Sequence, residues 1–227
     1  NLIEIGSNDG TFLSNFNKKR VATLGIEPSS NVAKISKKKG IKTLNSFFTY
    51  ETAKKLRRLK KNTDIICAAN VICHVPNLPN LIRGIDFLLN NKGLFIFEEP
   101  YLGSMYEKTS YDQIYDEHIF MFSVSSIKKV FSLFNFDLVN VIPQKTHGGS
   151  MRYVIGRTGY HRINKNVDKY LKIEKKKKID SIKGCFNFKK RCEISKRKLK
   201  NKIKKILKNG KNIAGYAATS KSTTILN

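Results

Sequence analysis

The sequence contains little cysteine, few acidic residues and no long apolar run. Its cysteines show neither C-x-x-C spacing nor histidine partners at the spacing of a zinc site; they are Cys67, Cys73, Cys185 and Cys192. We therefore expect no metal site in this chain, and reduced cysteines that are typical of a cytoplasmic protein. No apolar run approaches the roughly 20 residues of a membrane-spanning helix, so we expect no membrane partner.

Acidic residues are scarce beside basic ones, with 17 Asp and Glu against 44 Lys and Arg and a formal net charge of +27. Such a charge first suggests a protein that binds nucleic acid. Its distribution weakens that interpretation, because 20 of the basic residues and only four acidic ones lie in residues 165–211. The chain is also rich in Asn and Ile, which together with Lys are typical of AT-rich genomes. We therefore favour compositional drift and keep a basic nucleic-acid-binding module as a remote alternative.

Residues 1–100 alternate between short apolar runs and amphipathic segments, which is typical of an α/β fold. The apolar runs predict strands over residues 1–6, 21–27, 41–44, 64–69 and 94–97. The other segments predict helices over residues 10–19, 31–39, 50–60 and 78–89, and a turn at 90–93. This order predicts a parallel, Rossmann-like sheet with helices on both faces, and ligands beyond the carboxyl ends of its strands.

The pattern changes after residue 100. Residues 101–122 are polar and aromatic, include four tyrosines and predict a long functional loop. Residues 123–134 predict a helix with Ser123 as its N-cap. Residues 136–143 and 151–157 predict the strands that complete the sheet.

The last part of the chain predicts a different organisation. Basic helices over residues 165–208, ended by Gly210, lead to a strand over 212–218 and a turn over 217–221. Because the chain begins inside a strand and without Met, we expect a fragment of a longer protein. We predict a domain over residues 1–160, a basic helical connector over 161–210, and the start of a truncated second α/β domain over 211–227.

The first ten residues run from an apolar strand into a turn with the pattern E-x-G-x-x-x-G, formed by Glu4, Gly6 and Gly10. Glycine permits positive φ or a close approach of the backbone to a ligand. The pattern is not the dinucleotide fingerprint G-x-G-x-x-G, because its glycines are one residue too far apart and no first glycine precedes them. A second carboxylate, Glu27, ends the next apolar run, where an acid can accept hydrogen bonds from ribose hydroxyls. A plain turn between strand and helix is the alternative.

This arrangement resembles motif I of the class I S-adenosylmethionine-dependent methyltransferases. The resemblance implies S-adenosylmethionine as the cofactor. It implies that the glycine turn and the acid before it hold the amino acid part, and that Glu27 holds the ribose. The implied cofactor-binding residues are Glu4, Gly6, Ser7, Asn8, Gly10, Glu27 and Asn70.

The densest group of reactive side chains is Tyr115-Asp116-Glu117-His118. A histidine can accept a proton near neutral pH, and a neighbouring carboxylate can orient its ring. A tyrosine hydroxyl can donate to a developing oxyanion. The alternative is a solvated polar loop whose histidine caps a helix.

Two further segments carry polar groups at the predicted ligand edge of the sheet. Asn70 and His74 follow the fourth predicted strand, although such residues can also serve turns, and we assign Asn77 to capping the next helix. The segment His147-Gly148-Gly149-Ser150-x-Arg152 offers main-chain amides and a fixed cation, which suit a phosphate. Its alternative is a glycine hairpin turn.

In combination these segments resemble the sugar C-methyltransferases that act on nucleotide-linked deoxyketosugars. The resemblance rests on Y-D-E-H-I-F-M-F-S at residues 115–123, H-G-G-S-M-R-Y at 147–153, and residues 4–10, 70–77 and 99–101. Residues 214–221 resemble the start of the family's C-terminal domain, although 217–220 read A-A-T-S where a glycine-richer turn is usual. The family implies that a small zinc-binding domain precedes the methyltransferase domain, so zinc would belong to a domain outside this chain.

The resemblance also implies a reaction, in which a methyl group moves from S-adenosylmethionine to the carbon beside the ketone of a nucleotide-linked deoxysugar. His118 would remove a proton from that carbon, Tyr115 would stabilise the enolate oxygen, and Glu117 would orient the cluster. The implied substrate-binding residues are His74, Tyr101, His147 and Arg152, with Arg152 near the phosphates. The alternative is a class I methyltransferase for oxygen or nitrogen of another small molecule, which needs no base as strong as His118.

Overall fold

The computed structural model describes residues 1–16, 20–58, 63–216 and 219–226. Its strands are β1 (Leu2–Ile5), β2 (Thr23–Ile26), β3 (Thr43–Leu44), β4 (Thr63–Ala69), β5 (Leu89–Pro100), β6 (Phe136–Gln144) and β7 (Ser150–Arg157). Its α-helices are α1 (Ser30–Lys38), α2 (Tyr50–Arg58), α3 (Leu78–Leu88), α4 (Leu102–Lys108), α5 (Val124–Ser132), α6 (Lys165–Lys177), α7 (Ile182–Lys208) and α8 (Ser220–Leu226). Among the described residues, no helix is both long and apolar enough to cross a membrane.

The described strands form one seven-stranded sheet in the order β3-β2-β1-β4-β5-β7-β6. The first five strands in this order pair in parallel, whereas β7 is antiparallel to both β5 and β6. The predicted Rossmann-like sheet is therefore confirmed, with an antiparallel strand at its far end. The strand order reverses between β1 and β4, and this switch point is where open α/β sheets bind their ligands.

Alternate residues of the central strands contribute to two apolar clusters. Ile3 and Ile66 lie in the larger cluster, with buried side chains from α2, α3 and α5. Leu2 lies in the smaller cluster with Leu13 and Ile41. Full burial of an aliphatic side chain of this size contributes about 1.5–3 kcal/mol. Because both faces of the central strands are covered, the strands read as continuous apolar runs in the sequence.

The helix termini agree with two predicted caps. Asn77 accepts the main-chain N–H of Asn80 at 3.0 Å and begins α3. Ser123 begins α5 and forms a reciprocal pair with Ser126, in which each side-chain oxygen accepts the other residue's main-chain N–H. These bonds satisfy donors that a helix leaves unpaired in its first turn.

Three predicted segments have a different structure. The helix predicted over residues 10–19 is a single 3₁₀ turn at Leu13–Asn15, and residues 17–19 lie outside the described residues. The turn predicted at 90–93 is part of β5, because a register shift opposite Thr63 and Ile65 of β4 accommodates it within the sheet. The segment 101–122 is not all loop, since α4 forms there and buries Met105.

For the C-terminal part of the chain, the predicted helices are confirmed but the predicted strand is not. The predicted basic helices are α6 and α7, and Gly210 follows with a φ of +69°. Residues 211–216 form no strand, and residues 217–218 lie outside the described residues. A strand needs a partner for its main-chain groups, and no described strand pairs with this segment. Helix α8 covers residues assigned to a turn, and the three-part division of the chain stays a prediction.

Candidate functional site

A cleft of about 780 Å³ lies at the carboxyl ends of β1, β2 and β4. It is the place that the switch point of the sheet predicts for a ligand. Four of the predicted cofactor residues line it, namely Gly6, Asn8, Glu27 and Asn70. The predicted substrate residue His74 also lines it, together with Phe47, Phe48 and Asn80, which sequence reasoning did not select. Two adjacent aromatic residues after the third predicted strand were the available signal for Phe47 and Phe48.

The turn after β1 has the backbone that its glycines permit. Gly6 and Asn8 have positive φ angles of 69° and 50°. A Cβ atom on Gly6 would lie 2.4 Å from a methyl carbon of Val71, so the turn and the loop after β4 approach each other too closely for a side chain. The N–H of Gly6 donates to the carbonyl of Ile26 at 2.8 Å, which links the turn to β2.

Glu27 is held at the mouth of this turn by the main chain. Its carboxylate accepts the N–H of Asn8 at 3.0 Å and that of Ser29 at 2.8 Å. The two bonds go to different oxygens, so each oxygen keeps further acceptor capacity towards the cleft. This arrangement can bind a pair of ligand hydroxyls.

The other predicted cofactor residues, Glu4, Ser7 and Gly10, do not line the cleft. Glu4 is buried, and one of its carboxylate oxygens has no hydrogen-bond partner among the described residues. Burial, followed by the nearby charge of Glu27, raises the pKa of Glu4 to about 8. A cationic ligand group nearby would favour its ionised form. Ser7 is also buried, and Gly10 is positioned against Ser36.

The loop after β4 is held by a buried carboxylate that the predictions did not include. Glu99 is fully buried and accepts the N–H of Val71 at 2.9 Å and that of Ile72 at 2.6 Å. Asn70 begins this loop with a φ of +54° and donates its N–H to the carbonyl of Glu98 at 2.8 Å. The loop that carries Asn70 and His74 is therefore tied to the end of β5.

Tyr115 and His118 form a hydrogen-bonded pair. The Tyr115 hydroxyl lies 2.8 Å from Nε2 of His118, and Nδ1 of His118 lies 2.9 Å from the carbonyl of Gln113. A carbonyl only accepts, so Nδ1 carries the proton and Nε2 presents a lone pair to the tyrosine. Burial is the main cause that lowers the pKa of His118, and the charges of His74 and Lys221 add to it. The ring is thus arranged as a neutral base.

His74 joins this pair to the cleft. Its Nδ1 donates to the main-chain carbonyl of Glu117 at 2.6 Å, and its ring centroid lies 5.1 Å from that of His118. The Glu117 carboxylate is exposed. Two main-chain carbonyls therefore orient the rings: that of Glu117 contacts His74, and that of Gln113 contacts His118.

The glycine-rich segment before β7 reaches the same edge. The carbonyl of His147 accepts the side-chain amide of Gln113 at 3.1 Å, so Gln113 bridges His147 and His118. Arg152 donates to Glu98 at 3.0 Å, and Thr146 donates to the other oxygen of Glu98 at 2.8 Å. Gln113 and Glu98 were not among the predicted site residues, and a lone buried glutamine gives no sequence signal.

Tyr101 lies apart from the other predicted substrate-binding residues. Its hydroxyl donates to Glu174 of α6 at 2.9 Å, and both side chains are buried. Burial and the Glu174 charge raise the pKa of this tyrosine. Glu174 also accepts the N–H groups of Val124 at 2.6 Å and Ser125 at 2.9 Å, so it ties Tyr101 to the start of α5. The predicted role of Tyr101 towards a substrate has no contact in its favour.

The chain matches the sequence models of two known families. The sequence model of a family described as "Methyltransferase domain" matches residues 1–141. The chain belongs to this methyltransferase domain family. A second model, described as "C-methyltransferase C-terminal domain", matches residues 145–227 of the methyltransferase. The methyltransferase is 26% identical over 226 residues to the C-methyltransferase NovU of Streptomyces niveus, covering 99% of this chain and 54% of NovU. The chain thus spans about half the length of this curated relative.

Solved structures show the same fold at low sequence identity. A methyltransferase of Clostridium acetobutylicum is 12% identical with a TM-score of 0.53, over 70% of this chain and 84% of its own. A methyltransferase of Anabaena variabilis is 18% identical with a TM-score of 0.50, over 69% and 76%. The Synechocystis magnesium protoporphyrin IX methyltransferase, solved with bound SAH, is 13% identical with a TM-score of 0.51, over 69% and 74%.

Proposed function

We propose that this methyltransferase transfers a methyl group from S-adenosylmethionine to a carbon beside the ketone of a nucleotide-linked deoxysugar, through an enolate. The observation that carries the proposal is the Tyr115–His118 pair. It presents a lone pair on Nε2 beside a tyrosine hydroxyl at 2.8 Å, and His74 connects it to the wall of the cleft. The family description of a C-methyltransferase and the likeness to NovU support transfer to carbon.

The cleft suits S-adenosylmethionine as the methyl donor. Glu27 would hold the ribose hydroxyls, and Gly6 and Asn8 would hold the amino acid part through the turn after β1. Glu4, whose pKa is raised to about 8, would be held in its ionised form by the positive charge of that ligand. When bound, the ligand supplies an electrophilic methyl group. SAH, which is bound in the Synechocystis structure, agrees with this choice.

His118 and Tyr115 would have different roles towards the acceptor, as base and as hydrogen-bond donor. Nε2 of His118 would take the proton from the carbon beside the ketone, while the proton on Nδ1 would stay on that nitrogen and remain hydrogen-bonded to the Gln113 carbonyl. The Tyr115 hydroxyl would then donate to the developing enolate oxygen. A lone pair on oxygen or nitrogen needs no such proton removal from carbon, so a base of this kind favours the C-methyltransferase over its O- and N-methylating alternatives.

The nucleotide part of the acceptor would lie near the start of β7. Arg152 would face its phosphates, with Glu98 and Thr146 holding the arginine side chain in place. His147 would stand beside the sugar. We also propose a cytoplasmic location, which the cysteine pattern and a nucleotide-linked substrate support. Nucleic acid is not part of the proposed function.

Two measurements test the proposal. Calorimetry with S-adenosylmethionine should show binding, and Glu27→Gln should weaken it, whereas Glu193→Gln on the distant α7 should not. With a nucleotide-linked deoxyketosugar in deuterated water and no methyl donor, the carbon beside the ketone should gain deuterium. An O-methylated product would contradict the enolate. Methylation by the unaltered protein without deuterium uptake at the carbon beside the ketone would contradict it as well.

A further inference from the structure

Three side chains with metal-binding atoms meet beside the cleft. Cys73, His74 and His118 each offer one ligand atom, and these atoms lie within 4.8 Å of one another. Cys73 and His74 come from the loop after β4, whereas His118 comes from the segment before α5. The sequence separation between them explains why the cysteine spacing gave no indication of a site.

Both imidazoles have the outer contacts that are typical of metal ligands. Nδ1 of His74 donates to the Glu117 carbonyl at 2.6 Å, and Nδ1 of His118 donates to the Gln113 carbonyl at 2.9 Å. Such bonds fix the tautomer and leave Nε2 with a lone pair, as in many zinc-binding histidines. The Tyr115 hydroxyl at Nε2 of His118 is the group that an incoming ion would displace.

The third ligand, Cys73, has the buried carboxylate of Glu99 as its neighbour. Cys73 is buried, and burial together with the adjacent Glu99 raises the pKa of its thiol. One oxygen of the fully buried Glu99 has no hydrogen-bond partner among the described residues. A nearby divalent cation reverses the effect on the thiol, because it stabilises the thiolate, and the Glu99 carboxylate would offset its charge.

We propose that Cys73, His74 and His118 bind one thiophilic divalent transition-metal ion, such as Zn²⁺. A thiolate and two imidazoles favour Zn²⁺ or Co²⁺ over Mg²⁺ or Ca²⁺, which prefer oxygen ligands. The bond between Sγ and the metal forms as the thiol releases its proton to solvent, and no electron is transferred. The fourth ligand is water from the cleft.

This site makes the metal an inhibitor of the chemistry proposed above. Nε2 of His118 cannot bind an ion and remove a proton from carbon at the same time. The inhibition rests on the proposed function, whereas the binding of the ion rests only on the three ligands. The two claims can therefore fail separately.

Cobalt titration of the 227-residue chain tests binding directly, because a thiolate bound to Co²⁺ gives a strong near-ultraviolet absorption band. We expect one such band per chain, displaced by Zn²⁺ and unaffected by Mg²⁺. Cys73→Ser should remove it, whereas Cys185→Ser, which removes an exposed thiol on α7, should keep it. Loss of a hydrogen-bond partner of a metal-binding histidine lowers metal affinity by about 10- to 100-fold. Because His74→Gln removes the ligand itself, it should weaken Co²⁺ binding by at least that factor.

Tyr115→Phe separates metal binding from catalysis. It removes the hydroxyl that competes for Nε2, so it should bind Co²⁺ at least as tightly as the unaltered chain. An unchanged circular dichroism spectrum and melting temperature in each variant show that the fold is intact. A thiolate band that persists in Cys73→Ser, or no band in a folded unaltered chain, overturns the proposal.

The activity measurement gives a second readout. Substoichiometric Zn²⁺ should slow methyl transfer, and a chelator should restore it. Zn²⁺ binding without inhibition of methyl transfer would support the metal site and contradict the role of His118 as the base. Inhibition that persists in Cys73→Ser would place the inhibitory ion elsewhere and overturn the proposal.

Discussion

Replacing His118 by glutamine removes a base while keeping a polar side chain of similar reach. The amide can still donate to the Gln113 carbonyl, which the imidazole contacts at 2.9 Å, but it offers no basic nitrogen to a carbon-bound proton. A positioned general base contributes about 10²–10⁴-fold, so His118→Gln should lower the turnover number by that factor. This corresponds to roughly 3–5 kcal/mol in the activation free energy.

The pH profile tests the same residue independently. Because burial lowers the pKa of His118, its lone pair is available at neutral pH and is lost only when acid protonates the ring. The acidic limb of kcat/KM should therefore lie below the ordinary imidazole pKa of about 6.5. In His118→Gln this limb should disappear from the residual activity.

The assay is the initial rate of methyl transfer to a nucleotide-linked deoxyketosugar, together with deuterium exchange at the carbon beside the ketone. His161→Gln is the matched control, since His161 lies against Gly156 of β7 and has no part in the proposed site. A rate in His118→Gln within about tenfold of the unaltered protein would refute the general-base argument. An equally slow His161→Gln would assign the effect to folding.

Three further predictions concern the turn, the ribose contact and the connector. Gly6→Ala should lower the free energy of unfolding by about 1–3 kcal/mol more than Gly159→Ala, because both have positive φ but only Gly6 faces a side chain at 2.4 Å; equal thermal melting shifts would contradict the clash. Glu27→Gln should weaken S-adenosylmethionine binding by roughly 10- to 100-fold, since hydrogen bonds to a charged group contribute about 1.5–3 kcal/mol; calorimetry that finds unchanged affinity would remove Glu27 from the ribose. Glu174→Ala should destabilise the fold by at least about 1–3 kcal/mol, because it leaves the Tyr101 hydroxyl and two main-chain N–H groups without their acceptor. Denaturant unfolding measures this last change, and an unaltered midpoint would show that water replaces the carboxylate.

Local sequence patterns were sufficient for the elements that local physics determines. The apolar runs of β1 and β4 and the caps at Asn77 and Ser123 depend on neighbours within a few residues. The turn at Gly6 was predictable because only glycine tolerates its backbone and close contact. The position of Glu27 at the ligand edge followed from the alternation of strands and helices.

Contacts between distant segments were not predictable in the same way. The extension of β5 through residues 90–93 depends on pairing with β4, and the absence of a strand at residues 211–216 reflects the lack of a described partner. Helix α4 lies in a segment whose polar and aromatic composition predicts a loop. For β5 the deciding hydrogen bonds join residues that are far apart in the chain, since Thr63 pairs with Leu89 and Ile65 with Leu94.

The sequence by itself determined the class of fold, the glycine turn and the residue types available for chemistry, because periodicity and motifs are local properties. Only the tertiary structure decided how those residues meet. It placed the His74 ring 5.1 Å from that of His118 and directed Tyr101 towards Glu174 instead of the cleft. It also oriented both imidazoles through main-chain carbonyls, and carbonyl positions depend on how the loops pack against each other rather than on side-chain identity.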